Sequence, residues 1–211
     1  MKNGPLFLLG ILAALLFSWA GIVLGSNAQL GALPAYYDAN DSLSYPRRQP
    51  GIAAEGQIVY RELLCSSCHT QQVRRPDFGS DVARGWGERQ SVARDYIYQA
   101  AVQLGASRNG PDLTNLAGRK PSAPDAADLM NLLYAGQGGM PAYRFLFETR
   151  RIVGQESAAA LRLTGSLRPR PGCQVVPTRR AQELVAYLLS LNTTYDYPES
   201  KPAPAQNPEQ K

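Results

Sequence analysis

From Leu6 to Leu24 every position is apolar, small or aromatic; Ser18 is the sole hydroxyl and no charge interrupts the run. Its nineteen residues reach about 29 Å at the helical rise, close to the hydrocarbon thickness of a bilayer. The apolar core of a cleaved signal peptide is shorter, roughly 7–15 residues. The pattern therefore predicts one N-terminal transmembrane helix, with residues 1–25 as a retained membrane anchor. A long signal peptide cut after Ala28 competes with it, because Ser26-Asn27-Ala28 offers small residues at suitable offsets. Both readings export everything downstream.

Beyond this run the pattern breaks up. Residues 26–51, interrupted by Pro34, Pro46 and Pro50, read as a spacer. Ile52 to Leu64 places Ala54, Ile58, Leu63 and Leu64 at helical spacing and runs straight into Cys65. A second helix is expected near Ser91 to Val102, carrying Tyr96 and Tyr98, and a third over Pro124 to Leu133 with proline in its first turn. Gly110-Pro111-Asp112-Leu113 is a turn signal, and Gly136 to Pro141 a flexible loop presenting Met140. The clearest helix begins at Thr178, a good N-cap, with Ala181, Leu184, Val185, Leu188 and Leu191 as its apolar stripe. Residues 193–211 turn polar and Pro-rich and read as a disordered tail. No strand pattern stands out. The expectation is an all-α domain with long loops over residues 52–192, behind one membrane helix.

Charge and cysteines narrow the chemistry. Twenty-two Lys and Arg against seventeen Asp and Glu give a formal +5 over 211 residues, too mild for a nucleic-acid-binding stripe. Three cysteines are an odd count in an exported chain, so a disulfide framework cannot use them all. Cys173 stands apart and reads as a partly buried free thiol. The other two lie in Cys65-Ser66-Ser67-Cys68-His69, the C-x-x-C-H pattern of covalent haem attachment. Two thiols at this spacing can each form a thioether to a vinyl group on the porphyrin edge, while the adjacent histidine turns under the ring to ligate iron. A thioredoxin-like pair lacks its βαβ surroundings here, and a structural zinc site lacks ligands.

His69 is the only histidine, which excludes bis-histidine iron and any copper or di-iron centre built from imidazoles. A protein-supplied sixth ligand then falls to methionine, the common choice in cytochromes c. Met130 sits in an apolar helical stretch and reads as core; Met140 stands in the glycine-rich loop, stiffened by Pro141, and is the candidate ligand. The other ring nitrogen of a ligating histidine needs a fixed acceptor. The carbonyl of Pro111, in a rigid turn, is the expected one. Arg74, Arg75, Arg84 and Arg89 follow the motif and read as partners for haem propionates or an acidic protein, or as a solvated basic loop.

Gly56 and Tyr60 before the motif, Gly110 to Leu113 after it, Met140-Pro141, and Leu184 with Tyr187 in the last helix make the chain resemble a class I cytochrome c over roughly Ile52 to Asn192. That resemblance implies Gly56 and Tyr60 packing on Leu184, Tyr187 and Leu188. More narrowly, the run Cys65 to Arg74, Arg108 to Leu113 and Met140 to Tyr143 are similar to the membrane-anchored monohaem subunit II of cbb3-type cytochrome c oxidases. The resemblance implies one covalently attached haem c and a periplasmic domain on the bacterial inner membrane. It also implies an electron relay from a soluble donor, among other cytochrome c subunits, to a separate haem–copper catalytic subunit. The rival readings are the monohaem subunit of a nitric oxide reductase, a haem-based gas sensor, and a peroxidase, which would lack its distal histidine.

Overall fold

A computed structural model describes residues 3–201. The chain divides into two compact units, Met1–Pro46 with Ala93–Gln99, and Arg47–Val92 with Ala100–Lys211.

In the first unit the apolar run forms one continuous rod, Gly4–Leu30. It comprises α1 (Gly4–Trp19), a π-helical turn (Ala20–Leu24) and α2 (Gly25–Leu30). An eighteen-residue window of these 27 residues has a mean hydropathy of 2.5 and buries nothing against the protein. At the helical rise the whole rod is roughly 40 Å long, enough to cross a bilayer with a turn or two to spare. Ser26, Asn27 and Ala28 are thus helical, and the spacer begins later than expected. Nor is the spacer featureless: β1 (Tyr36–Asp38) pairs antiparallel with β2 (Leu43–Tyr45), Tyr36 opposite Tyr45. Asp38 accepts from the Asn40 amide and Asp41 from the Leu43 amide, both at 2.9 Å, so the aspartates close the connection. The helix expected over 91–102 shrinks to a 3-10 turn at Ala93–Tyr96. Tyr98 and Val102, which a packed helix would have buried, lie exposed, so there was no apolar face to hold it.

In the second unit α3 (Gly51–Glu62) packs on α5 (Arg179–Ser190). The buried stripe of α3 is Ala53, Gly56, Val59 and Tyr60, not the expected Ala54 and Ile58, which point outward. Gly56 is the reason: a Cβ there would come within 1.8 Å of the Glu183 carbonyl oxygen, so the helices cross where that side is smallest. One turn on, the Tyr60 and Tyr187 rings meet at 5.3 Å and 60°. The stripe of α5 is as expected, and Thr178 caps it by accepting from the Ala181 amide. Between them α4 (Ala126–Ala135) starts on a capping box of Asp125 and Asp128, which leaves Pro124 outside the first turn.

The all-α expectation fails. Besides β1–β2, strand β3 (Phe147–Arg151) pairs antiparallel with β4 (Cys173–Pro177), Thr149 opposite Val175. The protein is mixed helix and strand. Neither strand alternates: β3 is exposed after Phe147, and Gln174, Val175 and Val176 of β4 are all buried, so period two is invisible in both. The tail also starts later than residue 193, since Tyr197 and Ser200 are buried. The Arg89 guanidinium sits 4.7 Å above the Tyr197 ring and donates to the Tyr195 carbonyl at 2.7 Å. The rest of the expected tail, 202–211, lies outside the described residues.

Candidate functional site

The end of α3 delivers Cys65, but not as a plain continuation of the helix. Leu64 takes a left-handed conformation (φ 56°, ψ 32°), rare for a branched residue, and turns the chain into a 3-10 turn at Cys65–Ser67. The amides of Cys68 and His69 both donate to the Cys65 carbonyl, at 3.2 and 2.9 Å, so all three motif side chains leave one tight turn. Both thiols are free, Cys65 half-buried and Cys68 exposed. Burial pushes the Cys65 thiol up to about 11, with Cys68 adding to the shift. A dithiol–disulfide redox pair needs the opposite, a depressed thiol. Burial likewise raises the Tyr143 phenol, with Cys65 and Cys68 contributing.

His69 leads into an extended segment stitched to residues 104–114. The Gly110 amide donates to the Cys68 carbonyl at 2.9 Å and the Leu113 amide to the Thr70 carbonyl at 2.8 Å. Between these rungs His69 Nδ1 lies 2.9 Å from the Pro111 carbonyl oxygen. A carbonyl only accepts, so this bond puts the proton on Nδ1 and leaves the Nε2 lone pair free. Gly110 lies flat against the imidazole: a Cβ there would stand 2.2 Å from Cε1.

Beneath this segment are charges the sequence reading misses. Asp112, fully buried, accepts from Thr70 Oγ1 (2.5 Å), the Gln72 amide (2.8 Å) and the Thr114 amide (2.9 Å). Asp81, also fully buried, pairs with Arg74 (2.9 Å) and Arg108 (2.7 Å). Burial works to raise the Asp81 carboxyl, but the hydrogen bonds from Arg74 and Arg108 outweigh it and hold the group below its usual range. Arg108 also donates to the Gln72 carbonyl at 2.6 Å. The arginines read as possible propionate or partner contacts are thus engaged within the protein. Arg74 binds Asp81, Arg75 binds Asp77, Arg84 stacks on Trp86 and Arg89 holds Tyr195. Only Asp112 carried a sequence signal, as part of the Gly-Pro turn; nothing marked Asp81.

Met140 reaches the structure by different means. Its amide donates to the Gln137 carbonyl at 2.9 Å, closing a four-residue turn whose centre is Gly138 (φ 59°) and Gly139 (φ 90°). Positive φ at both central positions is the type I′ signature and favours glycine there. The expected flexible loop is therefore a defined turn. Met140 and Met130 are both half-buried against the core, so burial does not rank them.

This donor set fits a covalently held haem in number and kind. Two free thiols leave one turn, the half-buried imidazole keeps an open nitrogen, Tyr143 lies close enough to both thiols to feel their charge, and Cys65, Met140 and Tyr143 are each half-buried against the same core. Among the described residues no three His, Cys, Asp or Glu side chains cluster to hold a metal ion by themselves. Comparison with protein families defines the class: a one-haem subunit of a cytochrome c oxidase. The chain belongs to the family described as cytochrome c oxidase, mono-heme subunit/FixO, which matches residues 13–167. That span takes in Cys65, Cys68, His69, Pro111 and Met140 and stops short of β4 and α5. No curated protein matches the chain.

Proposed function

We propose that this chain is the electron-relay subunit of a cbb3-type oxidase, held in the bacterial inner membrane by Gly4–Leu30 with residues 52–192 on the periplasmic side. Cys65 and Cys68 would hold one haem c through thioethers, and His69 Nε2 and Met140 Sδ would ligate its iron. Bound there, the haem supplies a one-electron couple. The protein's share is to fix and shield: Pro111 holds the imidazole in its ligating tautomer, and the Gly138-Gly139 turn sets the thioether. Half-buried Tyr143 would keep water away. With His69 and Met140 both holding it, the iron would offer no vacancy to a substrate, which favours electron transfer over catalysis. Electrons would come from a soluble donor or a neighbouring cytochrome c subunit and leave for the haem–copper catalytic subunit. The observation that carries this reading is the His69–Pro111 bond beside two free thiols, in a chain of this family.

The test is purification of the full chain from membranes in mild detergent. The reading expects haem that survives denaturing electrophoresis on this chain, a haem–copper subunit in the same complex, and no carbon monoxide binding to the reduced chain at neutral pH. Haem extracted by acid, a nitric oxide reductase subunit in the complex, or ready carbon monoxide binding would each overturn it.

A further inference from the structure

The hydrogen bonds around His69 form a register. Cys68 O meets Gly110 N, His69 Nδ1 meets Pro111 O, Thr70 Oγ1 meets Asp112 Oδ2, and Thr70 O meets Leu113 N. Residue 69 pairs with 111 and residue 70 with 112, so the Asp112 carboxylate makes the rung next to the imidazole bond. Its grip is wider than that rung: Oδ2 also takes the Gln72 amide, and Oδ1 takes the Thr114 amide on its own side. One fully buried side chain therefore spans both segments, while the imidazole bond next to it joins a half-buried side chain to a single carbonyl.

We infer that Asp112 is the positioning residue of the axial histidine: by clamping Thr70 and Gln72 to the Pro111–Thr114 turn it sets the His69–Pro111 hydrogen bond, and through it the donor strength of the imidazole. This rests on the proposed haem ligation by His69. A histidine that donates firmly from Nδ1 is a more basic ligand at Nε2 and favours oxidised iron. Loosening the clamp weakens that donation and raises the midpoint potential. Arg108 backs the clamp by holding the Gln72 carbonyl and lying 3.9 Å from Asp112.

His69 is the only histidine, so its ring signals are unambiguous in the full, haem-loaded, reduced chain labelled with 15N-histidine. Asp112→Asn, which keeps shape but loses an acceptor oxygen, should speed exchange of the Nδ1 proton with water by tenfold or more. It should also raise the potential by at least about threefold in the one-electron equilibrium, about 30 mV at 59 mV per tenfold. Thr70→Val, which removes only the rung hydroxyl, should move both readouts the same way by less, and serves if Asp112→Asn does not fold. Thr178→Ala, which strips the N-cap of α5, destabilises the protein and should move neither. Unchanged exchange and potential in the Asp112 and Thr70 variants, with haem still covalently bound, would overturn the positioning role and leave the proposed function standing. A wild-type chain without covalent haem would instead overturn the function on which the role depends.

Discussion

Residues 68–72 are held to 110–114 by two backbone bonds, the His69–Pro111 bond and two bonds to buried Asp112, which also accepts from the Thr114 amide on its own side. Residues 137–140 are held by one backbone bond across a glycine pair. On the histidine side the backbone conformation is ordinary and side chains fix the geometry; on the methionine side the geometry follows from two glycines at positive φ. A carboxylate ladder resists displacement because breaking any rung leaves a buried acceptor unsatisfied, at about 1–3 kcal/mol. A type I′ turn resists only as far as its dihedrals do. On the proposed ligation, the histidine should thus be the permanent ligand and the methionine the one that yields first under heat, acid or a competing ligand.

The sharpest way to break that contrast is to fill the space beside each ligand. Gly110→Ala would place a methyl 2.2 Å from the His69 ring, which must swing out and lose its Pro111 bond. The expected outcome is loss of most covalently bound haem, read by haem staining of denatured protein against total chain. Next comes the choice of thioether. Met140→Ala should leave haem attached but open the iron, with carbon monoxide binding readily and the potential falling. Met130→Ala should leave both unchanged and cost about 1–3 kcal/mol of stability as a core truncation, the low end reflecting its half-buried position. If Met130→Ala opened the iron and Met140→Ala did not, the assignment would reverse.

How much of this was legible follows the same division. C-x-x-C-H, the lone histidine and the Gly-Pro turn could be read directly, because in each the residue type and its spacing are themselves the signal. The pairing of α3 with α5 was visible only through Gly56 and Tyr60; the apolar count alone chose Ala54 and Ile58, since it has no way to value a glycine as a contact surface. Strands β3 and β4 were hidden because one is almost wholly exposed and the other wholly buried along its centre. The burial of Asp81 and Asp112 was hidden for a different reason: a charged residue reads as solvent-facing until its partners, 2 to 42 positions away in the chain, are known.

The buried Asp81 carboxylate gives the histidine side an acid limit. Asp81 has a carboxyl held below its usual value in the folded protein, mainly by Arg74 and Arg108 against the opposing effect of burial. Its contribution is therefore fully present above the unfolded carboxylate pKa, about 3.9, and is lost as pH falls through the lower folded value. Stability of the wild-type chain, followed by denaturant melts, should drop below about pH 4. Asp81→Asn should be less stable at neutral pH and fall less steeply in acid. An identical acid slope in the two proteins would mean that Asp81 is not ionised and paired as its geometry requires.

The smallest effect probes the methionine side and isolates its cause. A Cβ at Gly138 would meet nothing within 4 Å, so the space is open, yet φ there is +59°. Gly138→Ala therefore adds only the cost of a left-handed alanine, about 1–2 kcal/mol, less about 0.4–1 kcal/mol regained from a stiffer unfolded chain. The net is about 1 kcal/mol, too little to unfold the domain but enough to loosen the turn that presents Met140. Carbon monoxide binding to the reduced protein should become detectable without becoming complete. Gly138→Asn separates conformation from bulk, because asparagine tolerates this backbone better than alanine although it is larger. The asparagine variant should lie between wild type and alanine; an asparagine variant worse than alanine would show that size decides there, and the turn's glycine dihedrals would lose their place in the contrast between the two ligands.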